Sequence, residues 1–357
     1  MVITVHTRKI GVWGLRLLLL CWLSLYISKT VSFIADSNEA SLVAPIIVLS
    51  LLTGLLAGGL DLYLYSRTRE TEPGFPVLFE PPFGIFPALG VRIADGEDSS
   101  EALQATLFDL AERGLLQLAG DDDAWNVTVI ADPAVTPQWP AETSMLLAMG
   151  LTAVGDSFVI SQSTISGGQI AVARMALQSA VSTASKRYLT PSGPGIASVT
   201  LGWLAYAGSF FLMTRLLPVT NIGLLLSPLL SASCVFAFIT LSMMFEPGIC
   251  TIRNEAGRDI WSRTGGFARF LATESSESRF ETAKHLDRFL TYLPWAIALG
   301  STEAWADSYE AQDSQTPVLP WILWSGAGRS YSTNDMITSF NSAVVEASDA
   351  YTASQGR

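Results

Sequence analysis

Long apolar runs alternate along this chain with stretches of helical periodicity, and the two patterns divide it between them. Leu42 to Tyr65, Ile196 to Leu217 and Asn221 to Phe245 each exceed the ~20 residues that carry a helix across a hydrocarbon core about 30 Å thick, and they are nearly free of charge. A further run, Val12 to Ala35, is broken by Arg16 and Lys29. Its segment LLLLCWLSLYI follows the basic stretch His6-Thr7-Arg8-Lys9 and reads as a retained signal anchor, with a cleaved signal peptide as the alternative. The pattern predicts a mainly α, polytopic helical membrane protein with about four transmembrane helices.

Between the runs the period changes. The stretch PGFPVLFEPPFGIFP cannot form a regular helix and reads as an extended connector, with structure starting at Ser99. From Ser100 to Arg113 the residues Ala102, Leu103, Leu107, Leu110 and Ala111 recur at helical spacing, with Ser99 or Ser100 as N-cap and Gly114 as the stop. LLQLA and WNVTVI then flank the turn Gly120 to Asp123 and predict a β-hairpin, so helix plus hairpin gives a winged-helix-like α+β module. Further helices are predicted over Glu142 to Met149 and Gly168 to Lys186, ended by the Pro191 to Gly195 breaker. In Gly266 to Glu310 the positions Phe267, Phe270, Leu271, Phe280, Phe289, Leu290, Leu293 and Ile297 fit packed amphipathic helices. The mixed charges between them read as a solvated face.

The resulting division is 1–66 for the two N-terminal hydrophobic segments and 67–190 for the winged-helix-like module. Residues 191–247 form a membrane hairpin, 248–315 a C-terminal helical module, and 316–357 a Trp- and Ser-rich tail. Arg8, Lys9 and Arg16, Arg67 and Arg69, Lys186 and Arg187, and Arg253, Arg258 and Arg263 all flank apolar runs on ends that agree on one side. By the bias of basic residues, both termini and both modules face the cytoplasm of a multi-pass inner (plasma) membrane protein.

Composition narrows the function classes. The chain has 357 residues, 49% hydrophobic and 15% charged, with a formal net charge of −11, which opposes nucleic-acid phosphates. Cys21, Cys234 and Cys250 are too scattered for a disulfide framework or metal site, and His6 and His285 stand alone, which removes the raw material of a zinc centre or a histidine triad. No GxSxG or HExxH occurs, and SGGQ and SGAGRS lack the Walker lysine. Asp121, Asp122 and Asp123 lack the EF-hand pattern and read as a solvated turn. No catalytic, metal or cofactor-binding residue is assigned.

Two blocks resemble a known family: EALQATLFDLAERGLLQL from Glu101 to Leu118, and GFARFLATESSESRFETAKHLDRFLTYLPWAIALGSTEAWADSYE from Gly266 to Glu310. They are similar to the YciQ-like predicted bacterial membrane proteins, which carry the domain of unknown function DUF2207. Members commonly have an exported β-rich domain ahead of the first span, which this chain is expected to lack. The resemblance implies no established activity, catalytic residue or cofactor.

The interaction candidates are Gly54 and Gly58, a GxxxG that admits close helix approach, and Asp61, an ionisable residue one turn further on. Leu293, Pro294, Trp295 and Trp305 belong to a helix pair expected to be buried or interfacial, and Trp295, Trp305, Trp321 and Trp324 are expected to pack in a core or at a membrane interface before forming any aromatic platform. The chain therefore reads as a non-enzymatic membrane scaffold, partnered by the lipid bilayer and by a protein or a second copy of itself. A small transport or channel subunit and a membrane-bound DNA-binding regulator are the alternatives.

Overall fold

The computed structural model describes residues 40–68, 70–121, 124–136, 138–211, 232–233, 236, 248–272, 286–310, 319–325 and 332–355. These divide into two compact units, one drawn from Met1–Glu72 and Thr190–Ile252, the other from Pro73–Leu189 and Arg253–Arg357.

In the first unit, helix α1 (Ala40–Thr68) packs against a helix at Gly193–Phe211. Gly54 and Gly58 are the buried positions among the described side chains of α1, and Gly195, Ser198 and Gly202 are buried on its partner. Small residues on both sides let two backbones approach closely. Outward, Leu55 and Leu56 are 74% and 73% exposed.

The expectation of a polytopic membrane fold requires correction here. Among the described residues no helix is long and apolar enough to cross a membrane. The Gly193–Phe211 helix opens on Gly-Pro-Gly and carries Ser198, Thr200 and Ser209 among its apolar residues, and residues 212–217 of the run from Ile196 lie outside the described residues. The run from Val12 to Ala35 and nearly all of Asn221 to Phe245 lie outside the described residues.

The second unit is mainly helical around one small sheet. It begins earlier than Ser99. Helix α2 (Pro87–Asp95) starts with proline at its first turn, where a missing N–H costs nothing, and ends at Gly96 in the left-handed region, whose N–H donates to the Arg92 carbonyl. Helix α3 (Ala102–Glu112) follows, stopped by Gly114 at φ 76°. Strands β1 (Leu116–Gly120) and β2 (Trp125–Val129) form the expected antiparallel hairpin, with Leu116, Leu118, Gly120, Trp125, Val127 and Val129 alternating into the core. Helix α4 (Pro140–Met149), strand β3 (Ser157–Ile160) and helix α5 (Thr164–Ser185) complete the first segment. Strand β4 (Leu189–Pro191) leads into α6, the Gly193–Phe211 helix described above, and pairs with β5 (Thr251–Arg253).

The chain returns with α7 (Glu255–Ala272), α8 (Leu286–Ala298) and α9 (Thr302–Glu310). The segment 316–357, read from the sequence as a tail, contributes two packed elements. Strand β6 (Ile322–Trp324) adds parallel to β1, giving the order β3-β2-β1-β6, and α10 (Thr333–Gln355) packs against α5. Helix α10 is rich in Ser, Thr and Asn, poor helix formers, yet Met336, Ile337, Phe340, Ala343, Val344 and Ala347 supply a buried stripe. Residues from both segments share a single hydrophobic core: Phe108 of α3 lies edge-on to Trp321 and Phe340, and α8 packs along α3.

The proline-rich connector runs extended along α7. Leu78 N–H donates to the Gly266 carbonyl, Ser262 Oγ to the Gly74 carbonyl at 2.8 Å, and Arg269 to the Phe75 carbonyl at 2.7 Å. A Cβ at Gly266 would collide with the Pro76 carbonyl and one at Gly265 with the Phe75 ring, so the Gly-Gly pair is what admits this strap.

Candidate functional site

The sequence-derived candidates separate into two groups. Leu293, Pro294 and Trp295 lie within α8 and Trp305 within α9, all buried, with Leu293 and Trp305 at 0% exposure. They stand in an aromatic cluster: Trp305 meets Phe270, Phe289 and Tyr292, its Nε1–H donates to the Phe289 carbonyl, and Trp295 meets Phe267 and covers Gly90 of α2. Gly300 at φ 68° makes the turn between the two helices. The FLTYLPWAIALG stretch thus contacts its own chain. Trp321 is buried beside Phe108, and Trp324 packs on Trp125. The second group, Gly54, Gly58 and Asp61, lies on α1, the two glycines buried. Asp121 accepts from the Ala124 N–H at 2.8 Å; Asp122 and Asp123 lie outside the described residues, as do His6, His285 and the acidic residues around Glu274.

Three features were not singled out from the sequence. The first is an ionic cluster where α3 ends. Arg113 donates to Asp109 Oδ2 at 2.7 Å and to Glu142 Oε1 at 2.6 Å, while Glu142 Oε2 accepts the Trp139 N–H at 2.9 Å and so caps α4. The Glu142 side chain is fully buried. One guanidinium therefore faces two carboxylates. Burial pushes the Asp109 carboxyl up to about 7; Arg113 opposes the rise, and Glu142 and Glu112 add repulsion. The pairing carboxylates push the Arg113 guanidinium up despite its own burial. This cluster locks α3 to α4.

The second feature is a face of α5. Ile165, Val172 and Met175 are 76%, 50% and 60% exposed, and the helix carries one ionisable residue along its 22 residues, Arg174. Arg174 is half-buried, and burial lowers its pKa, with Glu101 opposing. Helices α4 and α10 pack on the other sides of α5. Strand β3, at the sheet edge, exposes Val159, and α4 exposes Leu147.

The third is a pole of the second unit at which the chain enters and leaves. The passages fall at Glu72/Pro73, Leu189/Thr190 and Ile252/Arg253. The start of α7 gathers the unit's ends of all three: Asn254 Nδ2 donates to the Arg187 carbonyl at 2.8 Å and its N–H to the Tyr188 carbonyl, Ser262 holds Gly74, and Phe75 packs on Trp261. Arg253 stacks 3.9 Å from the Trp261 ring and donates to the Ile93 and Ala94 carbonyls, closing the C-terminus of α2. Helix α5 runs from this pole, at Lys186, to Ile165 about 30 Å away.

Fold and surface define a mainly helical, single-core domain built on a chain with leucine-rich helices. Residues 76–309 match the C-terminal domain of the predicted membrane protein family DUF2207, and the chain belongs to that family. Its location is accordingly the membrane. Neither the curated proteins nor the solved structures include a match to it.

Proposed function

We propose that this protein is a membrane-localised scaffold whose Pro73–Leu189 and Arg253–Arg357 unit lies on the cytoplasmic side and docks a partner protein through the outer face of α5. The observation that carries the reading is the exposed, uncharged stripe of Ile165, Val172 and Met175. Apolar side chains aligned on one helix face are what a partner helix covers. A protein helix fits this face, whose three apolar side chains follow one another along α5 at helical spacing. A partner presenting an apolar helix without charge satisfies the face; a second copy docking α5 on α5 is the competing outcome.

The test is a photo-crosslinking amino acid at Val172 in the native membrane, with Val135, 80% exposed and outside α5, as control. The proposal expects one discrete heterologous adduct from Val172, lost when Ile165 and Met175 are changed to serine. An adduct of twice the chain's mass would assign the face to self-association, and equal labelling from both positions would remove the docking face altogether.

A further inference from the structure

We propose that the Asp109, Arg113 and Glu142 cluster is a proton-operated latch, which holds the first turn of α4 on α3 while one carboxyl carries a proton and loosens that turn once the proton leaves. The latch is independent of the partner proposed for α5.

The two sides of the cluster differ in how firmly they are held. Asp109 and Arg113 close α3, whose Leu107, Phe108 and Leu110 are fully buried in the core. Glu142 stands in the first turn of α4, which begins at Pro140 and so lacks that residue's N–H, and residues 130–136 ahead of it are exposed or half-buried. Its Oε1 takes Arg113 at 2.6 Å and its Oε2 takes the Trp139 N–H at 2.9 Å, so one carboxylate both ties α4 to α3 and caps it. The first turn of α4 is therefore the side that gives, while the rest of the helix stays packed on α5.

The charges in the cluster do not balance. Arg113 meets Asp109 at 2.7 Å and Glu142 at 2.6 Å, and Glu112 adds a further carboxylate, held by Thr291 Oγ1 of α8 at 2.8 Å. The charged groups of the other elements packed on α3 are engaged elsewhere or exposed. Arg92 of α2 pairs with Asp98 at 2.6 Å, and Asp95 lies beside Arg253. Arg174 of α5 is drawn to Glu101 at the opposite end of α3, Asp287 and Arg288 of α8 are exposed, and β1 is uncharged. Burial raises the Asp109 carboxyl to about 7 from an ordinary 3.8, with Arg113 opposing and Glu142 and Glu112 adding repulsion. The closed turn thus binds the proton more tightly than the open one, in which water reaches Asp109. Its hold is fully present below pH 3.8 and is lost as pH rises to about 7. Between those limits each pH unit favours opening by up to about tenfold.

The experiment is hydrogen exchange on the purified full chain at pH 5 and pH 8, each rate being divided by the chemical exchange rate of its peptide at that pH. Labelling times that leave the β1–β2 hairpin unexchanged keep global unfolding out of the reading. Exchange over 139–144 is expected to be at least about tenfold faster at pH 8, with 102–111 of α3 unchanged. Asp109→Asn, which cannot ionise, should abolish the difference. Equal corrected exchange over 139–144 at the two pH values overturns the proposal. An equal rise over 102–111 also overturns it, since α3 would then give with α4, and so does a pH dependence that persists in Asp109→Asn, which assigns it to another group.

Discussion

Replacing Asp109 by asparagine should change how stability depends on pH, with a size that follows from the cluster it shares with Arg113 and Glu142. The Asp109 carboxyl lies at about 7 in the folded chain against 3.8 as its ordinary value, because burial outweighs Arg113. A raised carboxyl pKa means the folded state binds the proton more tightly than the unfolded state. Stability from this group is therefore fully present below pH 3.8 and is lost as pH rises to 7. At about 1.4 kcal/mol per pH unit, ionising Asp109 withdraws about 3 kcal/mol between pH 5 and pH 8. Asparagine keeps the shape and an oxygen for Arg113 but cannot ionise, so Asp109→Asn should gain that amount on the parent over this interval, whatever constant offset the lost carboxyl introduces. For a unit of this size the gain is a rise of roughly 6–12 °C in the difference of melting midpoints. Thermal unfolding followed by tryptophan fluorescence at pH 5 and pH 8, on the purified full chain, measures it. A parent-minus-variant difference that stays constant from pH 5 to pH 8 would refute the reasoning, since it would mean Asp109 titrates as in the unfolded chain.

Other perturbations follow from the packing. Gly266→Ala drives a methyl into the Pro76 carbonyl and should unseat the connector, lowering stability by about 1–3 kcal/mol and raising protease cleavage near Gly74. Trp305→Ala empties the centre of the aromatic cluster and should cost about 3–5 kcal/mol by chemical denaturation, which decides whether the α8–α9 pair is core and not a partner surface. Phe83, 99% exposed on the turn before Gly84, should tolerate Phe83→Ser within about 0.5 kcal/mol in the same assay; a large loss would mean the side chain is packed.

Much of the local structure of the second unit was legible in the sequence. Periodicity located α3, the β1–β2 hairpin, α4 and α5, because in each the buried positions follow the period of 3.6 or 2 that the backbone imposes. Helix α2 was hidden by the prolines before it, although Pro87 is the residue that starts it. Helix α10 was hidden by its Ser, Thr and Asn content, and β6 by its length of three residues. Long-range pairing was not legible at all: the Gly265-Gly266 strap, the β1–β6 pairing and the Arg113 cluster join positions whose only local signals are a Gly pair, an apolar triplet and a lone Arg. The α5 face was overlooked because an exposed apolar stripe and a buried one look alike in sequence. Apolar run length was the weakest guide, since it led to four spans where no described helix is long and apolar enough for one.

We propose that the outer face of α5 docks a protein. Its most direct test is recovery of the Val172-crosslinked protein with the affinity-tagged chain from solubilised membranes, comparing the parent with Ile165→Ser, Val172→Ser and Met175→Ser combined. These side chains are exposed, so the variant should reach the membrane at the parent level and melt where the parent does. Recovery of that partner is expected to fall at least about tenfold. Recovery equal to the parent's, with membrane level and melting unchanged, would contradict it.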